Sequence, residues 1–97
     1  MRFRYPVGDD STYNIPPGTR IQKIIIDILQ TSHKDHRLMV LLISPSKRVY
    51  YSARLDQTNN YTAEPDFFIG GDKDFQLVVV SHPDTQGFLG HLLIDLS

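Results

Sequence analysis

The chain contains no cysteine. That single absence excludes disulfides, thiolate zinc sites, iron–sulfur clusters and cysteine nucleophiles together. It fits a reducing compartment without requiring one, because a core of this size stands without cross-links. Long apolar runs are missing as well. Nothing approaches the roughly eighteen residues that a membrane-spanning helix needs, and the opening MRFRYPVGDD lacks the apolar stretch of a secretory signal. The expected location is cytoplasmic, with membrane or cytoskeletal association left open. Nor is there an excess of one charge. Ten Lys and Arg against eleven Asp and Glu leave a formal net charge of −1. No global attraction to nucleic acid or anionic membrane follows, and nucleic acid is not an expected partner. Repeats, low-complexity stretches, G-x-S-x-G, G-x-G-x-x-G and G-K-[ST] are all absent. The chain therefore reads as non-catalytic, and no cofactor is implied.

What is present is one domain's worth of short apolar segments separated by turn residues. Ninety-seven residues make a single domain, residues 1–97, read as a module of a larger protein. RFRY suggests a short edge strand running into a Gly-Asp-Asp turn, and Pro16-Pro17-Gly18 fixes a bend. In IQKIIIDIL, Ile24, Ile26 and Ile28 share one face and Ile25 and Leu29 the other. Its β-branched density favours a strand, although a weak 3.6-residue period leaves a helix as the alternative. LMVLLIS (Leu38 to Ser44) is apolar on both faces, as suits a central strand covered on both sides or an interface. RVYYSARL alternates, with Val49, Tyr51, Ala53 and Leu55 inward and Arg48, Tyr50, Ser52 and Arg54 outward. DQTNNYTAEP reads as a polar loop carrying the glycosylation sequon at Asn60, DFFI as a short strand, and Gly70-Gly71-Asp72 as a hairpin turn. FQLVVV and FLGHLLIDL close the chain as two apolar runs around a tight polar turn. This spacing predicts an all-β fold, an antiparallel β-sandwich of about seven or eight strands, with a small closed barrel as the alternative.

Few side chains carry chemistry. His33 and His36 lie in a polar connection and offer an incomplete zinc set, so they read as solvated loop histidines. Asp72 and Asp74 supply too few oxygens for calcium, and no metal site is expected. Ser81 and His82 are adjacent on a strand, so they point to opposite sides and cannot share a proton. The candidate binding residues are Lys47, Arg48, Tyr50 and Arg54 in SKRVYYSAR. Placed on one outward face, they would suit phosphate, an inositol headgroup or an acidic peptide, because guanidinium forks match such oxygens and the ring adds apolar contact. The plainer alternative is a solvated face whose arginines pair with carboxylates across strands.

The closing FQLVVV-SHPDTQG-FLG-HLLIDLS resembles the end of a C2 domain: an apolar strand, a short loop, an F-L-G step and a final strand ending in Leu-Ser. C2 calcium loops typically carry D-x-D before that step, whereas this loop offers Asp84 alone. The resemblance thus implies a calcium-independent member, serving protein interaction or phosphoinositide binding through a cationic groove where SKRVYYSAR falls. A competing resemblance, to GOLD domains of membrane-trafficking proteins, rests on YNIPPGTRI, LMVLLISPSKRVYYSAR, NYTAEPDFFI, FQLVVV and LLIDL. The cysteine pair of the trafficking members is absent here. The expectation is a calcium-independent, C2-like scaffolding or adaptor module in a trafficking or cytoskeletal assembly, with a protein partner. Binding to anionic lipid or phosphoinositide, and self-assembly into a homo-oligomer, are the alternatives.

Overall fold

Each long apolar segment becomes a strand in a computed structural model, which describes residues 1–97. In chain order the strands are β1 (Arg2–Gly8), β2 (Asp10–Ile15), β3 (Arg20–Thr31), β4 (Leu38–Ile43), β5 (Val49–Leu55), β6 (Thr62–Ala63), β7 (Phe67–Phe68), β8 (Phe75–Ser81) and β9 (Phe88–Leu96). They form two antiparallel sheets packed together as a β-sandwich. One runs β1-β9-β3-β6, with β7 also on β3; the other runs β2-β8-β4-β5. The count of nine exceeds the expected seven or eight because two strands were not anticipated: β2, between the Gly-Asp-Asp turn and the Pro16-Pro17-Gly18 bend, and the two-residue β6. Of these, β6 lies inside the segment read as a loop.

The inner faces follow from alternation. Ile24 and Ile26 of β3 and Leu92 and Ile94 of β9 share one buried cluster with Val40 and Leu42 of β4 and Leu77 and Val79 of β8. Burying a side chain of that size contributes about 1.5–3 kcal/mol, so this cluster is what joins the sheets. β3 also explains its own helix-like period. Register shifts between Ile21 and Lys23 and between Ile28 and Gln30 insert extra residues, so Ile21 and Ile24, three apart, both point inward. Gly90 pairs with Ile28 beside the second shift. A Cβ there would sit 2.2 Å from the Asp27 carbonyl oxygen, so only glycine lets the two backbones approach.

The tight turn between the closing runs and the turn read as a hairpin both carry the chain between sheets. β8 pairs with β2 and β4, whereas β9 pairs with β1 and β3. The intervening residues include a single 3₁₀ turn, Pro83–Thr85, and bridge the layers. Gly70-Gly71-Asp72 likewise leads from β7 in one sheet to β8 in the other. No helix is long and apolar enough to cross a membrane.

Candidate functional site

The four expected binding residues do not form one patch. Lys47 occupies the left-handed region, φ 69°, in the turn between β4 and β5. There its N–H donates to the Ser44 carbonyl, and Arg48 N–H donates to Ser44 Oγ. Arg54 lies six residues on, near the other end of β5, about 20 Å away at ~3.3 Å per residue. A register shift pairs Leu42 with Tyr51 but Ile43 with Val49, leaving Tyr50 as the extra residue of a β-bulge. The bulge breaks the expected phase at Val49, while Tyr51, Ala53 and Leu55 keep their inward side. Val49, expected inward, is 56% exposed beside Ile43 on the outer face. Tyr50, expected outward, is 53% exposed, and one side of its ring meets Phe75 and Phe67 at centroid distances of 5.6 and 6.2 Å. None of the ion pairs in the chain includes Lys47, Arg48 or Arg54, so the arginines are not neutralised across strands.

Arg54 gains a companion that sequence reading missed. Arg37, just before β4, lines the same groove of about 290 Å3, together with Met39, Val80, His82 and Pro83. Arg37 reaches Asp84 at 3.8 Å, a loose and half-exposed contact, so much of its charge faces the groove. The signal was available: Arg37 directly precedes the doubly apolar LMVLLIS. The groove opens onto the outer face of the β4–β8 sheet. Register places Val80, Met39 and Arg54 in one row, Val78, Leu41 and Ser52 in the next, and Gln76, Ile43 and Val49 in the third. Met39 is 39% exposed and its apolar neighbours on β4 and β8 are half-buried. The central strand is thus covered on its inner face alone, and an apolar stripe ends at two guanidinium groups.

A second polar constellation lies at the β8 end of the core. His36, read as solvated, is only 1% exposed. Its ring packs on Phe88 at 4.8 Å between centroids, and both ring nitrogens are bonded, Nδ1 to Thr31 Oγ1 at 2.9 Å and Nε2 to Ser81 Oγ at 3.0 Å. Ser81 donates its one proton to Asp9 Oδ1 at 2.7 Å. The imidazole must therefore donate from Nε2 and accept at Nδ1 from Thr31, whose oxygen also accepts the His33 N–H. Every donor in this chain points toward Asp9, which also accepts the Gly87 N–H at 2.8 Å. Gly87 is required there: φ is 106°, and a Cβ would come within 2.5 Å of Ser32 Oγ.

This arrangement is structural in character. A serine nucleophile must donate to its base, whereas Ser81 donates to a carboxylate and accepts from the imidazole. Burial pushes the His36 pKa down, against a smaller upward pull from Asp9. Burial alone would raise the Asp9 pKa, but the bonds from Gly87 and Ser81, with help from His36, bring it below the usual value. Neutral imidazole and ionised carboxylate are the forms the fold selects. His82 points away, exposed, and caps the following turn through Nδ1. No three histidine, aspartate or glutamate side chains converge as a metal-ligand set. No protein-family model matches the chain, and no curated protein matches it.

Proposed function

We propose that this chain is a non-catalytic, calcium-independent protein-interaction module whose docking face is the outer face of the β4–β8 sheet. The observation that carries the reading is the apolar stripe of Met39, Leu41, Ile43, Val78 and Val80, ending at the unpaired Arg54 and the loosely held Arg37. Apolar area with cations at one end selects a partner that pairs an apolar surface with a carboxylate. Scaffolding or adaptor work in a trafficking or cytoskeletal assembly is the role this suits. The C2-like resemblance of the closing segment, and its GOLD rival, point the same way, since both families bind proteins or membranes.

Selection of displayed peptides against the chain tests the reading. Recovered peptides should combine apolar residues with an acidic one, and should lose at least about tenfold in affinity to Arg54→Glu, a change worth about 1.4 kcal/mol. Peptides that bind wild type and a Met39→Asp, Arg54→Glu double variant equally would remove the assignment of this face.

A second reading, peripheral binding to anionic lipid or phosphoinositide, draws on the other end of β5. There the exposed Val49 follows Lys47 and Arg48, neither of them ion-paired. Two cations are fewer than a polybasic segment usually musters. Sedimentation with phosphoinositide vesicles decides it: absence of lipid-dependent pelleting ends the membrane reading.

A further inference from the structure

The sandwich has four sheet edges, and three are blunted. Met1 and Leu96 exchange both backbone bonds, Met1 N to Leu96 O at 2.7 Å and Leu96 N to Met1 O at 2.8 Å. Antiparallel alternation then turns the backbone groups of Arg2, Arg4, Pro6 and Gly8 toward the free side of β1. Pro6 has no N–H there and its carbonyl accepts the Tyr13 hydroxyl, while Ser11 Oγ bonds both the N–H and the carbonyl of Gly8. On the opposite side of that sheet, β6 and β7 are two residues each. β5 is broken by the bulge at Tyr50, and the Arg54 carbonyl is taken by Asn59 Nδ2 at 2.7 Å.

β2 carries no such protection. The Asp9 carbonyl accepts Ser81 N–H at 3.0 Å, so Ser11, Tyr13 and Ile15 bond to β8 while Asp10, Thr12 and Asn14 turn their N–H and C=O groups outward. No hydrogen bond of the turns, loops or side chains satisfies these groups. The edge has no proline, no lysine and no bulge, devices that usually discourage pairing, and Asp10 at its end is its only charge. We propose that β2 pairs with the β2 strand of a second copy of this chain, antiparallel about a two-fold axis at Thr12. The inference is independent of docking on the outer face.

The strand itself argues for that occupant. About Thr12, Asp10 faces the partner's Asn14, Thr12 faces its own copy, and all three outward residues exchange backbone bonds. Threonine pairs are favourable neighbours across strands, and the Asn14 amide can donate to the facing carboxylate. An axis at Asp10 would oppose two carboxylates instead. An axis at Asn14 would set Thr12 against Pro16, which has no N–H to give. The Thr12 register also keeps both outer faces on one side, so the two β4–β8 sheets become one continuous sheet. The contact is isologous and closes on itself, giving a dimer and not a filament.

Light scattering across a concentration series tests this with the chain as it stands. The expected result is a concentration-dependent rise to twice the 11.1 kDa of one chain. Thr12→Pro removes an outward N–H without touching a β8 bond, and Thr12→Lys sets two ammonium groups against each other on the axis. Both variants should return the mass to that of one chain, and Thr12→Lys keeps the test open where the proline variant fails to fold. Amide exchange at Thr12 and Asn14 should slow as wild-type concentration rises. A wild-type chain that stays monomeric at millimolar concentration, or a dimer indifferent to Thr12→Lys, overturns the proposal.

Discussion

The two sheets turn very different outer faces to solvent. On the β3–β9 sheet charged pairs occupy much of the outer face, and the exposed Leu29 and Leu89 lie together at one end of it. Arg2 forks onto Asp95 at 2.7 and 3.0 Å, Arg4 meets His91 at 3.2 Å, and Lys23 reaches Glu64 at 3.7 Å. Ile25 and Leu93 lie among these groups, half-buried. On the β4–β8 sheet the middle rows are apolar, and the cations at their end have little or nothing to pair with. Each sheet alternates inward outside its register shifts, so the core does not require the difference. A sheet face made for water shows alternating polar residues; a face that repeats apolar residues on two adjacent strands is suited to being covered.

The largest effect separates the inner from the outer side of a single strand. Leu42 and Met39 belong to the same β4, with Leu42 wholly buried and Met39 exposed. Leu42→Ala should cost about 2–5 kcal/mol, the range for a leucine removed from a packed core. Met39→Ala should change stability by no more than about 0.5 kcal/mol, as surface substitutions do. Urea titration of both variants checks the contrast. A comparable cost at Met39 would mean that the outer face is already covered in solution, and would shift attention to self-association.

A smaller effect should appear on acidification. The folded chain holds His36 neutral, with its pKa below the ordinary 6.5. Below 6.5 the unfolded chain takes up a proton that the folded chain refuses, so stability falls as pH drops from 6.5 toward the folded pKa. One proton limits the slope to about 1.4 kcal/mol per pH unit. Asp9, with its pKa lowered from 3.8, acts in the same direction further down: its contribution is present above 3.8 and is lost as pH falls through the folded value. Urea midpoints measured between pH 7.5 and 5 should decline for wild type and stay flatter for His36→Gln. Equal profiles would show that His36 does not titrate apart from the unfolded state.

The inward face of each long strand was readable from the sequence because period-two alternation and burial have the same physical cause. Ile24, Leu42, Leu77 and Ile94 needed nothing further. What escaped reading was every place where the period breaks. The bulge at Tyr50 put Val49 on the outer side, and no local residue type announces a bulge there. The connection from Ser81 to Phe88 is long enough to close a hairpin or to cross between layers. Only the pairing of β9 with β3 decides between these. His36 and Arg37 sat in a segment polar enough to read as solvent-exposed. Their roles arise because the connection folds back over β8, where His36 finds Ser81 and Arg37 finds the groove. The site was legible as a chemical type, cations beside apolar strand residues, and its membership was set by tertiary pairing.

The smallest expected effect lies on the charged face and tests whether its pairing matters at all. Hydrogen bonding to Arg2, with its nearby positive charge, holds the Asp95 carboxyl below its usual pKa, and Asp95 raises that of Arg2 in return. Both shifts favour the charged pair, so its contribution is present at neutral pH and is lost as pH falls through the Asp95 value. Yet both side chains meet solvent, and exposed pairs are largely screened by water and salt. Asp95→Asn should therefore lower the melting temperature only slightly at low ionic strength, and the difference should vanish in molar salt. If the loss persisted in salt, the fork would be acting through the geometry of the β1–β9 edge and not through charge. The outer face of the β3–β9 sheet would then owe its order to packing, like the core beneath it, and the contrast with the uncovered face would rest on side-chain polarity alone.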